Sequence, residues 1–197
     1  MKRVLVKVFS IALIVAMACS FLPLQRGEVQ AVSGNIVISQ VYGGGGNTGA
    51  VYTNDFIELF NRGTSAVSLA GWSLQYASAT GTGAFGTNAT QLTELPDVLV
   101  QPGQYYLVQE AAGTQPFAPL PTPDLIDTTA INLSGTGGKV ALVSQSASLG
   151  CNGYSTPCSP EQLALIIDLV GWGTANFYEG SAAAPATTNA TAVLRNN

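Results

Sequence analysis

The clearest alternation of apolar and polar positions in the chain is the run Asp-Phe-Ile-Glu-Leu-Phe-Asn, which begins at residue 55. Successive side chains of an extended chain point to opposite faces, so Ile57 and Leu59 fall on one side and Phe56, Glu58 and Phe60 on the other. Both faces are therefore largely apolar. This pattern favours a central strand of a two-sheet sandwich over an edge strand with one solvated face.

Short runs of β-branched and aromatic residues, bounded by Gly, Pro, Asn and Ser, recur along the rest of the chain and are typical of strands. Residues 77–90 are almost entirely Ser, Thr, Ala and Gly, which predicts an exposed loop with Phe85 as its anchor. No stretch shows sustained helical periodicity. The pattern predicts an all-β fold, with further strands over residues 35–42, 67–69, 72–76, 98–100, 104–109, 140–143 and 166–172.

Two blocks of the sequence match a family pattern. The run at residue 55 has the form D-[FWY]-I-E-L-[FY]-N and is followed by L-x-G-W-x-L, and a D-x-V-G-[WY]-G block lies at residues 168–173. Both blocks resemble the lamin tail domain, an immunoglobulin-like module. The resemblance implies an immunoglobulin-like β-sandwich over residues 32–197 and a structural role for the motif residues. These are Asp55, Ile57, Glu58, Leu59, Asn61, Gly71, Trp72, Asp168, Gly171 and Trp172.

The first residues of the chain have the parts of a secretory signal peptide. A basic start precedes an apolar run over residues 8–22, and Val-Gln-Ala ends at residue 31. We predict a signal peptide over residues 1–31 and a mature chain that has no transmembrane span and is secreted or held at the cell surface. The alternative is cleavage before Cys19 and lipidation of this residue, which would anchor the product to a membrane.

Charge limits the partners of the mature chain. Removal of residues 1–31 leaves only Arg62, Lys139 and Arg195 as cations, while Glu28 is the one acidic residue that is lost. Grip on a phosphate backbone requires clustered Lys and Arg, so direct nucleic-acid binding by this domain alone is disfavoured. The chain has no histidine, which excludes histidine-dependent triads and imidazole metal sites.

Two cysteines, Cys151 and Cys158, remain after removal of the signal peptide. An even pair in an oxidising compartment predicts a disulfide bond, whereas two free thiols in a loop are the alternative. Closure of this small loop contributes roughly 2 to 3 kcal/mol by the chain-entropy estimate.

Carboxylates are the remaining acid-base groups, and we weigh Asp55, Glu58, Asp168 and Glu179 as site residues. Glu58 lies between two phenylalanines and needs donors, for which backbone amides, Ser or Thr hydroxyls and the Trp72 indole are the candidates. Asp168 and Glu179 are expected in turn or capping roles. No catalytic residue, metal or cofactor is assigned. A Ca²⁺ site that uses Asp55 and Glu179 is the weaker alternative, since no EF-hand loop is present.

Trp72 and Trp172 both follow a glycine on a predicted strand. Tryptophans on the strands of a sandwich are more often core residues than exposed sugar platforms. We therefore predict that both lie in the core.

Three functions remain open at this point. The preferred one is a non-catalytic extracellular binding or anchoring module with an unknown macromolecular or cell-surface ligand. Bacterial members of the family occur as accessory domains of secreted or surface proteins, which implies a fused catalytic domain as the second: the chain would be the leading domain of a metal-dependent endonuclease or phosphodiesterase. The third is a carbohydrate-binding or adhesive surface module, which requires an exposed Trp72 or Trp172.

Overall fold

The computed structural model describes residues 34–196. Eleven strands, one short α-helix and one 3₁₀ turn make up this part of the chain. The strands are β1 (Ile36–Tyr42), β2 (Asn54–Asn61), β3 (Val67–Ser68), β4 (Ser73–Ser78), β5 (Leu92–Glu94), β6 (Leu99–Val100), β7 (Tyr105–Ala112), β8 (Leu125–Ile126), β9 (Gly138–Val143), β10 (Ile166–Trp172) and β11 (Val193–Leu194). The helix is α1 (Pro160–Leu165), and the 3₁₀ turn is Ala89–Gln91.

The strands form two facing sheets and a small two-stranded pair. The larger sheet has the order β11-β1-β2-β7-β8, and the smaller has the order β10-β9-β4-β5. β3 pairs with β6 beside them. All ladders between these strands are antiparallel except the pairing of β7 with β8. This arrangement confirms the predicted β-sandwich.

β2 occupies the centre of the larger sheet, between β1 and β7. Ile57 and Leu59 are fully buried against the smaller sheet, whereas Phe60 and Glu58 are half-buried on the outer face. The predicted division of β2 into two faces is therefore confirmed.

The main core lies between the two sheets, and its largest member is Trp172, 1% exposed and 6.4 Å from the ring of Tyr76. Gly138 lies in β9 where an added Cβ would strike both rings, so glycine is required at this position. A second cluster lies behind the smaller sheet, around Phe85 and Phe177. Phe85 is fully buried there, which confirms it as the anchor of its loop.

Four elements, besides the 3₁₀ turn, were absent from the sequence prediction. β5, β8 and β11 are too short to show an alternation, and α1 contradicts the expectation of a chain without helix. Ser159 caps α1 by accepting a hydrogen bond from the amide of Gln162, whose side chain accepts one from the Ser159 amide. This capping box, with Pro160 in the first turn, nucleates a helix too short for periodicity to reveal.

The predicted signal peptide over residues 1–31, and the alternative lipidation of Cys19, lie outside the described residues and stay predictions. Between residues 34 and 196 no helix is both long and apolar enough to cross a membrane.

Candidate functional site

Asp55, at the start of the family motif, lies buried where β2 meets two loops. Its Oδ1 accepts the Gly45 amide at 2.8 Å, and its Oδ2 accepts the Leu133 amide at 2.9 Å. Burial raises the pKa of Asp55 to about 7, although the two amide donors oppose this shift. An added Cβ at Gly45 would overlap the backbone of Asn54, so only glycine brings this amide to the carboxylate. Asp55 therefore fixes two connections at one end of the sandwich.

Glu58 finds its donor on the neighbouring strand. The Ser39 hydroxyl donates to Glu58 Oε1 at 2.6 Å. The donor is thus a serine hydroxyl, one of the three kinds of donor expected from the sequence. Asn61, at the end of β2, donates through Nδ2 to the carbonyls of Ser65 and Val100 and ties the following turn to β6.

Asp168 joins the two sheets, which corrects the expected turn or capping role. Its carboxylate is fully buried within β10 and accepts the Ile38 amide of β1 at 2.6 Å. The Arg195 guanidinium binds the same carboxylate through Nη2, at 2.8 and 2.9 Å from its two oxygens. Arg195 also donates from Nε to the Ile38 carbonyl at 3.2 Å. One ion pair thus closes the side of the sandwich where β10 faces β1.

The two weak metal candidates lie in different environments. Asp55 binds the two amides described above, whereas Glu179 Oε2 lies 3.6 Å from Arg195 Nη2. Residues 34–196 contain no group of three or more Asp, Glu, Cys or His side chains arranged to hold a metal ion.

The two tryptophans differ in exposure. Trp172 is a core residue, as predicted, and is closed to any ligand. Trp72 is half-buried, with one part packed against the main core, so its assignment as a core residue holds only in part. Gly71 before it has φ +75°, a conformation that favours glycine and turns the chain into β4.

Cys151 and Cys158 are joined by the predicted disulfide bond, with Cα atoms 5.1 Å apart. Beside the loop that they close lies Lys139, which is fully buried although its sequence position gave no sign of this. Lys139 Nζ donates to the Asn152 carbonyl at 3.1 Å and to Asn176 Oδ1 at 2.9 Å. Burial lowers the pKa of Lys139 to about 8.

A further buried acid, Glu110, was not singled out from the sequence. It lies on β7 and is 2% exposed, with the Ile131 amide donating to its Oε2 at 2.7 Å and the Thr93 hydroxyl lying 2.8 Å from its Oε1. The alternation of β7 contained a usable signal, because Glu110 falls in phase with the buried Tyr106 and Val108. No local pattern in the sequence pointed to its partners Thr93 and Ile131, which are distant from it in the chain.

A groove of about 320 Å³ opens on the side of the sandwich closed by the Asp168–Arg195 pair. Its walls come from β1, β10, β11 and the segment after β10, and the polar residues among them are Ser39, Gln40, Glu179 and Arg195. Ser39, one of its lining residues, donates from its hydroxyl to Glu58 Oε1 at 2.6 Å. The groove has the form of a surface cleft.

Two facing sheets, joined across their interior by buried carboxylates, define an immunoglobulin-like β-sandwich module. The sequence profile described as Lamin Tail Domain matches residues 29–174, and the chain belongs to this family. This match confirms the resemblance found in the sequence. The lamin tail domain is a non-catalytic immunoglobulin-like module. No curated protein matches the chain.

Proposed function

We propose that this chain is a non-catalytic extracellular module that binds or anchors a macromolecular or cell-surface ligand. The observation that carries the proposal is the use of its buried acids. Asp55, Glu110 and Asp168 each accept hydrogen bonds from other strands or loops, with both carboxylate oxygens engaged. Acids held in this way stabilise a scaffold and are not placed to exchange protons with a substrate.

The extracellular setting is supported by the cystine and by the predicted signal peptide. Disulfide bonds persist in oxidising compartments and are rare in reducing ones. The Cys151–Cys158 bridge closes a loop whose tip, Tyr154, is exposed.

Binding of carbohydrate is the second candidate, and one observation favours it. Tyr105 is 51% exposed on the outer face of the larger sheet, and its ring lies 4.5 Å from that of the half-buried Phe60. Such a pair presents an apolar face beside a hydroxyl group, as amphipathic ligands require. Because the core encloses Trp172 and Trp72 is half-buried, this exposed pair is the place where a sugar ring would stack.

Retention on immobilised ligands tests the first proposal. The purified mature protein is applied to beads that carry peptidoglycan, a neutral polysaccharide or DNA, with and without millimolar Ca²⁺. We expect retention on a cell-surface polymer, none on DNA at physiological salt, and no turnover of the bound polymer. Turnover of any of these polymers by the protein alone would contradict a non-catalytic role.

A pair of tyrosine variants separates the carbohydrate candidate from general adhesion. Tyr105→Ala removes the exposed member of the aromatic pair, whereas Tyr154→Ala removes a tyrosine that is 66% exposed in the cystine loop. Because stacking on one aromatic ring is worth about 1 kcal/mol, we expect Tyr105→Ala to weaken polysaccharide retention about fivefold and Tyr154→Ala to leave it unchanged. Equal effects of both variants would contradict stacking at Tyr105.

A further inference from the structure

The side of the sandwich opposite the Asp168–Arg195 pair is closed by a different contact, between β5 and the β7–β8 edge. Thr93 of β5 is 1% exposed and lies between two acids. Its Oγ1 is 2.8 Å from Glu110 Oε1 and 2.8 Å from Asp127 Oδ2. Through these two contacts, Thr93 links β5 to Glu110 of β7 and to Asp127 after β8.

If both acids were ionised, this contact would have only one hydrogen atom for its two hydrogen bonds. A threonine hydroxyl carries a single hydrogen and cannot donate to two carboxylates at once, and an ionised carboxylate has no hydrogen to offer. Both distances are those of hydrogen bonds. One of the two acids must therefore carry a proton and donate it to Thr93 Oγ1, while Thr93 donates to the other.

Glu110 is the acid that holds this proton. Asp127 is half-buried and its Oδ1 accepts the Thr129 amide at 3.0 Å, whereas Glu110 is almost fully buried. Burial raises the pKa of Glu110 to about 8, and the charges of Asp127 and Asp55 add to this shift. Glu110 therefore donates a hydrogen bond to the Thr93 hydroxyl, and this hydroxyl donates one to Asp127.

No cation replaces the proton in the described part of the chain. The charged groups that act on Glu110 are Asp55 from β2 and Asp127 after β8, both acidic. Lys139 binds Asn152 and Asn176, and Arg195 binds Asp168, so two of the three cations are engaged elsewhere. The third, Arg62, lies exposed in the turn after β2 and is not among the charged groups that shift the pKa of Glu110.

We propose that Glu110, Thr93 and Asp127 form a proton-operated latch that holds β5 against β7 and the segment after β8. With the proton present, a continuous chain of hydrogen bonds spans the two sheets. When the proton leaves, two carboxylates face one hydroxyl and repel each other in a poorly hydrated site. This side of the sandwich then opens and releases the segment up to Ile131, whose amide is bonded to Glu110.

The sign of the pH dependence follows from linkage. The folded protein binds the Glu110 proton more tightly than the unfolded chain, whose glutamate has the ordinary pKa of 4.5. Stability is therefore greatest below pH 4.5 for this group and is lost as the pH rises to about 8. Over that interval, Glu110 changes the unfolding equilibrium constant by up to about tenfold per pH unit.

Urea unfolding of the mature protein between pH 5.5 and 9, with two matched variants, tests the latch. Glu110→Gln supplies a permanent donor to Thr93 and a permanent acceptor for Ile131. We expect this variant to lose about half of the pH slope and to exceed the wild type in stability at pH 9. The remaining slope comes from Asp55, whose pKa is also raised, and above about pH 8 from Lys139, whose lowered pKa contributes with the opposite sign. Glu94→Gln, an exposed neighbour of Thr93 on β5, should leave the slope unchanged.

A measurement on the unmodified protein keeps the proposal falsifiable if a variant fails to fold. Carbon-13 carboxyl shifts should show Glu110 protonated at pH 6 and titrating above pH 7, while amide exchange at Ile131 should lose protection by pH 9 more than amides of β9. Ionisation of both Glu110 and Asp127 at pH 6 would overturn the latch. An equal slope in Glu110→Gln and wild type would also overturn it, as would restoration of Ile131 protection at pH 9 by Ca²⁺, which would indicate a cation site instead.

Discussion

At the scale of single residues, three of the buried ionisable side chains in residues 34–196 have three different kinds of partner. Asp168 has a guanidinium, Asp55 has two backbone amides, and Lys139 has two neutral oxygens. An ion pair, amide donors and neutral acceptors respond differently to mutation and to pH. The three sites are therefore separable by experiment.

The Asp168–Arg195 pair gives the largest expected single-residue effect. Arg195→Ala leaves the fully buried Asp168 carboxylate with the Ile38 amide but without its counter-charge. Removal of one partner of a buried pair costs about 3 kcal/mol when the other stays charged. Urea unfolding at pH 7 should show this loss, and the double variant Arg195→Ala with Asp168→Asn should recover part of it.

Some of the important residues could be predicted from the sequence and others could not, for physical reasons. The motif in β2 and the cysteine pair were predictable because alternation and spacing are local properties. The ion pair of Asp168 joins residues 27 apart in sequence, and its hydrogen bond to Ile38 spans 130. Contacts of this kind depend on how the sheets face each other, which one sequence does not encode in any local pattern.

At the scale of elements, the short ones were hardest to anticipate and depend most on their surroundings. β5, β8 and β11 each have two or three residues, too few for an alternation to be distinguished from chance. Each is held by a side chain on it or just after it: Thr93 in the middle of β5, Asp127 after β8 and Arg195 after β11. These polar contacts supply the order that the short ladders lack.

The cystine loop is an element whose stability is measurable directly. Replacement of both Cys151 and Cys158 by serine should lower the free energy of unfolding by roughly 2 to 3 kcal/mol, because the unfolded chain regains the freedom of the opened loop. The oxidised protein should bind no thiol reagent at these positions and should gain two hydrogens in mass on reduction. Two alkylated thiols without prior reduction would contradict the bridge. Ser159→Ala, which removes only the cap of α1, is the matched control with an expected loss of about 1 kcal/mol.

At the scale of the whole molecule, the folded unit extends beyond the stretch that defines the family. The family profile ends at residue 174, but the sheet order places β11 beside β1 and the segment after β10 contributes a parallel bridge between Trp172 and Ala184. Arg195 then closes the side between the sheets. Residues 175–196 are thus part of the sandwich.

Truncation tests this boundary. A mature chain that ends at residue 174 loses β11 and the partner of Asp168, so β1 becomes an open edge and a buried carboxylate loses its counter-charge. We expect aggregation or loss of the cooperative urea transition. A chain that ends at residue 196 should unfold cooperatively, with the full circular dichroism signature of β-structure. Equal stability of the two chains would show that the family match alone delimits the fold.

The burial of Lys139 has a consequence for the lifetime of the protein among proteases. Enzymes that cleave after basic residues find three such positions in residues 34–196. One is enclosed beneath Phe85, with its ammonium 5.7 Å from the ring, and another lies two residues before the last, where a cut removes almost nothing. Within residues 34–196, only the turn at Arg62 offers such an enzyme an exposed internal site, so a digest of the folded mature protein should stop at a single internal nick.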